Sequence, residues 1–434
     1  MLSPSVRLMK SALPFIANLA ICVLLVFSFG KDATNVSEGG TIDFRNRITG
    51  ARLLQIDRDA YHYKWDASEP PELCDPFNNP AMSISKVTVT PTLVALNLPL
   101  AALPYRFAQY SWLILQWLML LGTGVLWLRS MPSDRLRWLW GVAVLTFSCT
   151  VAWRLHAERG QAYVAILFVL ACWMVLTRDR ELGNGIWSGL VAGLLVALRP
   201  PLLLLVGPFI LMRRRGQIIG AVTGLVVSAG VPMLFSSSCW EDYRAGMQTW
   251  ADLYCAGAAN PRPPPQAFPA EIEGVPIDVM GHFANIPFAD SSLVALFRSW
   301  GFATVPALPF TLTLVALIGL WFWLSRKQSV DVLLAGIAAW SFLADLFLPA
   351  LRNSYNDVLI LNLVAIGLII RGRHTWVVWM LLAAAWPLGW AVHNMLPTQR
   401  WIINLPTMVM IAAAVLTLLL PAFKKITPEP AALT

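Results

Sequence analysis

What most constrains this chain is a succession of apolar runs that recurs from near its start almost to its end. They fall at 11–30, 108–128, 138–153, 162–176, 184–198, 201–212, 218–236, 302–325, 331–350, 357–370, 375–391 and 402–421. A helix crossing a bilayer needs about 20 apolar residues, and only helices or closed barrels satisfy their backbone in lipid. Charged residues make up 13% of the sequence, about half the share of a soluble domain. The runs predict an all-α polytopic membrane protein: a single domain over residues 1–434, with about 12 transmembrane helices and further interfacial helices outside the bilayer.

Charge placement gives a topology. Arg129, Arg135 and Arg137, then Arg178 and Arg180, then Arg213, Arg214 and Arg215 fall on alternate turns, as do Arg326 with Lys327, Arg371 with Arg373, and Lys424 with Lys425. The intervening turns hold fewer basic residues: Arg154 and Arg159, Arg199, Arg352 and Arg400. The positive-inside rule then puts both termini in the cytoplasm. It also splits 184–212 into two segments at Arg199-Pro200-Pro201. The net charge of +8 belongs to these clusters and does not indicate nucleic acid.

Two segments, 31–107 and 237–301, are too long to be mere connectors, and both fall outside on this topology. In the first, Ile42, Ile48, Leu53 and Leu54 are spaced like the apolar face of a surface helix. Residues 87–104 carry Pro91, Pro99 and Pro104 and read as short interfacial or re-entrant pieces, with a true span as the alternative. The second holds Trp240, Tyr243, Trp250 and Tyr254, which suit either a sugar platform or an interfacial aromatic belt. Cys239 and Cys255 share the external side and are candidates for a disulfide, with Cys74 as rival partner.

The densest run of chemistry is Asp43-Phe44-Arg45-Asn46-Arg47, continuing through Arg52, Asp59, Tyr61, Tyr63, Lys64 and Trp65. A carboxylate beside arginines at a membrane surface can deprotonate a hydroxyl while a phosphate is bound nearby. Charges of a solvated helix would look the same. Arg199 and Arg352 either grip a lipid phosphate or snorkel to the interface. Asp345 suits an internal ion pair. Secondary site candidates are Arg45, Arg47, Asp59, Tyr63, Lys64, His282 and Tyr355. No metal-binding cysteine motif, phosphate-cradling glycine loop or serine elbow occurs.

The ordered set of these motifs resembles glycosyltransferase family 87, membrane enzymes that use polyprenyl phosphate sugars. It is carried by Asp43–Arg47, Gly50–Leu54, Asp59-Ala60-Tyr61 with Tyr63-Lys64-Trp65, and Thr90-Pro91-Thr92 leading to Leu98-Pro99-Leu100 and Leu103-Pro104-Tyr105. Leu198-Arg199-Pro200-Pro201 and Arg352-Asn353-Ser354-Tyr355-Asn356-Asp357 complete it. Where the family often has an Asn-Gln-Ser-like stretch, this chain has Ala289-Asp290-Ser291-Ser292-Leu293. The resemblance implies a GT-C fold with an external active site. It implies an inverting transfer of a hexose, with mannose the first expectation, from polyprenyl phosphate sugar to a lipid-linked or envelope glycan hydroxyl. Asp43 falls where the family has its presumed general base, and no cofactor or divalent metal is expected. The expected setting is a monomer in the bacterial inner membrane with its site facing the periplasm. A transporter or flippase of a lipid-linked sugar is the alternative.

Overall fold

The computed structural model describes residues 4–39, 41–76, 78–79, 81–178, 185–211, 215–258, 271–273, 275–276, 290–370 and 405–423. Helix α1 (Pro4–Gly39) turns at Thr41 into α2 (Ile42–Gln55). Irregular chain then leads to α3 (Pro91–Leu96) and α4 (Leu98–Ala101), both far too short to span a bilayer. There follow α5 (Tyr105–Ser130), α6 (Asp134–Ser148), α7 (Val151–Arg159), α8 (Tyr163–Arg178), α9 (Ile186–Leu198) and α10 (Leu203–Leu211). Next come α11 (Arg215–Met233) and α12 (Cys239–Cys255), then a hairpin of two-residue strands, β1 (Glu271–Ile272) and β2 (Val275–Pro276). The remaining helices are α13 (Leu293–Ser299), α14 (Ala307–Ser325), α15 (Val330–Leu343), α16 (Ile360–Ile369) and α17 (Leu405–Phe423).

The expected dozen crossings are not borne out. Among the described residues, α5, α11 and α14 are long and apolar enough to cross a membrane, and α6 with α7 makes a fourth if that pair, bent by 58°, is one broken span. The run 375–391 lies outside the described residues. Several other apolar stretches are cut short. Helices α8, α9 and α10 have 16, 13 and 9 residues, or ~24, ~20 and ~14 Å at 1.5 Å per residue, against about 30 Å of hydrocarbon.

The cuts have local causes. Arg199 precedes Pro200, which drives it from helical dihedrals to φ −149, ψ 87. Thr150 starts α7 afresh by accepting a hydrogen bond from the Trp153 N–H. After α15 the chain tightens into a 3-10 turn at Ala344–Leu346, and a second at Ser354–Leu359 opens with a capping box between Asn353 and Asn356. Each break leaves polar side chains inside an otherwise apolar body.

Glycines set the closest helix contact. Gly189 and Gly193 of α9 face Gly220 and Gly224 of α11, four residues apart on each helix. A Cβ on Gly193 would lie 2.3 Å from the Ala221 carbonyl oxygen, and one on Gly220 would lie 2.2 Å from that of Ile186. Backbones can approach this closely only where side chains are absent.

The surface helix expected from Ile42 to Leu54 is instead an interior one. Phe44, Ile48, Ala51 and Leu53 are fully buried, and Arg45 and Arg47 are only 3% and 2% exposed. Phe44 stacks between Tyr105 and Trp112, with centroids 6.2 and 5.4 Å away. The expected Cys239–Cys255 disulfide also fails. These cysteines are the two ends of α12, ~24 Å apart along its axis, whereas a disulfide needs Cα atoms within about 7 Å. All six cysteines are free thiols.

Candidate active site

The site begins at Thr41, which caps α2 with φ 49 and ψ 59. A β-branched residue in the left-handed region is strained and must be held by its surroundings. Here the Tyr105 hydroxyl lies 2.8 Å from Thr41 Oγ1 and donates to the Thr41 carbonyl. Two residues on, Asp43 emerges in the first turn of α2.

Its carboxylate is gripped from α7 and the turn that follows. Arg159 donates from Nε to Oδ2 at 2.5 Å and from Nη2 to Oδ1 at 3.2 Å, a two-pronged contact, and Gln161 Nε2 donates to Oδ2 at 2.5 Å. Gly160, between these two, ends α7 in the left-handed conformation at φ 66, and a Cβ on it would sit 2.6 Å from Phe44 Cβ. Glycine is therefore required on both counts. The Gly160 carbonyl accepts from Trp112 Nε1 at 2.8 Å and from Arg47 Nη2. Burial pushes the Arg47 guanidinium down to about 10, with Asp43 opposing the shift, so Arg47 stays a cation at neutral pH.

Two tyrosines join this half to the helix breaks. The Arg159 guanidinium lies 5.7 Å from the Tyr355 ring, Tyr355 lies 6.0 Å from Tyr163, and Arg199 lies 4.9 Å from the Tyr163 ring. Arg199 pairs closely with Asp345, whose other oxygen accepts from Asn356 Nδ2 at 3.0 Å. One nitrogen of each flanking arginine, Arg47 Nε and Arg199 Nη1, is buried without a hydrogen-bond partner. Lys86 lies near enough for the charges of Asp43 and Arg159 to act on its ammonium, which burial pushes below the usual lysine range.

The structure thus brings Asp43, Arg47, Arg199 and Tyr355 into one neighbourhood. Arg352 is differently placed. Its side chain is 1% exposed, with Nη2 on Asp357 at 3.0 Å and Nη1 on Ser291 at 2.8 Å, so both ends of its fork are engaged within the protein, while its Nε is buried without a hydrogen-bond partner. Asp290 accepts from the Arg352 backbone N–H at 3.3 Å and from the Tyr254 hydroxyl. Asp59 caps its own turn, accepting from the Tyr61 and His62 N–H groups. Tyr63 donates to Glu69, and Lys64 donates to Asn78 and to the Asn79 and Ile84 carbonyls. These three hold the loop together. Arg45 faces Cys74 and Glu273. His282 lies outside the described residues.

Arg159, Gln161, Tyr163 and Asn356 are members of this neighbourhood that the sequence reading did not single out. One signal was present: Arg-Gly-Gln at 159–161 combines a helix-ending glycine with two side chains able to grip a carboxylate. Chemically, the arrangement offers an oriented proton acceptor beside fixed cations, the equipment for transferring a group from an anionic leaving group to a hydroxyl. Among the described residues, no group of three or more His, Cys, Asp or Glu is arranged to hold a metal ion.

Comparison with known proteins returns one result. No curated protein and no solved structure matches the chain. The profile of glycosyltransferase family 87 matches residues 88–349. That stretch includes Arg159, Gln161, Tyr163, Arg199 and Asp345, while Asp43 and Tyr355 lie outside it. Because it spans more than half of the sequence, the chain belongs to glycosyltransferase family 87.

Proposed function

We propose that this glycosyltransferase takes a hexose, mannose being the first candidate, from a polyprenyl phosphate sugar. It would place that sugar, with inversion, on a hydroxyl of a lipid-linked or envelope glycan at the outer face of the plasma membrane. The observation that carries the reading is the Asp43 carboxylate gripped by Arg159 and Gln161, beside Arg47 and the Tyr355–Tyr163–Arg199 chain. The acceptor oxygen bonds to the anomeric carbon as Asp43 takes its proton. The bond from that carbon to the phosphate oxygen breaks, and its electron pair leaves with the phosphate.

The donor phosphodiester carries one negative charge and gains a second as it leaves, so fixed cations stabilise the transition state more than the bound donor. Arg199, with its unpartnered Nη1, is the candidate for that contact. Arg352 instead braces the chain around Asp357. Arg159 serves to orient the base, since a two-pronged contact fixes both carboxylate oxygens.

Purified protein in liposomes, given a panel of radiolabelled polyprenyl phosphate sugars and membrane glycolipid acceptors, tests the reading. It expects a new glycoside and free polyprenyl phosphate from at least one donor. Movement of the donor across the bilayer without bond cleavage would contradict it in favour of transport.

A further inference from the structure

Helix α2 has two polar faces with different partners. Asp43 and Arg47 are four residues apart and share one face; Arg45 and Arg52, seven apart, share another. The second face meets Glu273, at the tip of the β1–β2 hairpin. Glu273 Oε1 lies 2.8 Å from Arg52 Nη1, and Oε2 accepts from Arg52 Nη2 at 3.3 Å, from Arg45 Nη1 at 3.5 Å and from the Tyr105 backbone N–H at 2.9 Å. Tyr105 is the first residue of α5, a 26-residue helix, so its N–H points out of the helix at the positive end of the helix dipole.

Three features show that this carboxylate is built into place. Its side chain is only 15% exposed. Glu273 sits at φ 51, a left-handed conformation that surrounding contacts must sustain in a residue other than glycine. Its partners are pinned in turn: Arg45 donates to the Cys74 carbonyl, and Arg52 donates to the Ala101, Leu103 and Glu72 carbonyls. The second long polar segment is thereby fastened to the back of the helix whose front carries Asp43.

We infer that Glu273 is a positioning residue for glycosyl transfer: an ion lock that fixes the rotation of α2 and so holds Asp43 in line with Arg159. The inference rests on the role given above to Asp43. Rotation of α2 by a fraction of a turn would swing Asp43 off Arg159 without disturbing the Arg199 side of the site. Release of the lock therefore lowers kcat and leaves the donor KM near its wild-type value, since misplacement of a reacting group by about 1 Å costs up to roughly a hundredfold in rate.

The test is a cycle of Glu273→Ala, Arg52→Ala and the double variant in the full-length protein in liposomes, with rates normalised to donor bound. The expected result is a kcat loss of at least about tenfold in each single variant, with the double variant no slower than the worse single. Glu273→Gln, which keeps an acceptor for the Tyr105 N–H, should fall between Glu273→Ala and wild type. Wild-type kcat in Glu273→Ala, or a double variant whose loss is the product of the two single losses, would overturn the lock. A thermal-unfolding cycle on the same variants keeps the two readings apart. Coupling between Glu273 and Arg52 there, in a wild-type protein that transfers no sugar, would preserve the contact and reject the proposed function.

Discussion

At the scale of single residues, Asp43 stands out in the sequence as the head of a dense run of charged residues, and Arg199 as an ionisable group between apolar chain and a proline break. Their partners do not, because contacts across 116 or 146 residues leave no local pattern. Asp345 is an exception, being a carboxylate inside an apolar run that had to be paired. Arg159 is expected to be irreplaceable by lysine, which keeps the charge but cannot engage both oxygens of Asp43 in one plane. Arg159→Lys should cost about tenfold or more in kcat with donor binding preserved, measured on liposome-reconstituted protein. Gly160→Ala is expected to be worse, because it combines a strained φ with a Cβ 2.6 Å from Phe44. Its thermal midpoint should fall together with its activity, by an amount equivalent to at least about 1 kcal/mol.

At the scale of elements, hydropathy locates apolar stretches but is blind to what interrupts them. The interruption at Arg199-Pro200-Pro201 is legible, because proline acts on its neighbour locally. Those at Cys149–Thr150 and Ala344–Leu346 are not, since they depend on capping and on packing against distant helices. The same blindness misplaced α2: its charged residues read as solvent-facing, yet they find buried carbonyl and carboxylate partners. The glycine pairs of α9 and α11 yield an element-scale prediction. Gly193→Ala should lower the thermal midpoint, because its Cβ meets the backbone of α11. Gly141→Ala, in α6 with nothing within 4 Å of the added Cβ, should leave it unchanged or raise it through better helix propensity. Equal shifts would mean that α9 and α11 are not in close contact.

At the scale of the whole molecule, the family and the membrane setting were both legible, since composition and ordered motifs survive any error in counting crossings. The count itself was not. Helix α5 is nonetheless long enough to cross the membrane, and it separates the loop around Ser68 from the turn at Asp134. With native cysteines replaced, a cysteine at Ser68 should react with an impermeant reagent on intact cells. One at Asp134 should react only after permeabilisation. The reverse pattern would invert the topology.

The central claim is that Asp43 takes the proton during glycosyl transfer, and Asp43→Asn tests it most directly. Asparagine keeps the size of the side chain and can still contact Arg159 through its carbonyl oxygen, but it cannot accept the acceptor's proton. A positioned proton acceptor is worth roughly 10²–10⁴-fold in rate. With matched polyprenyl phosphate sugar and acceptor, Asp43→Asn should insert and bind donor like wild type, yet transfer sugar at least about a hundredfold more slowly. Asp59→Asn, altered at a carboxylate that caps its own turn and pairs with the His62 ring at 2.7 Å, should stay within a fewfold of wild type. Wild-type turnover by Asp43→Asn would contradict the account.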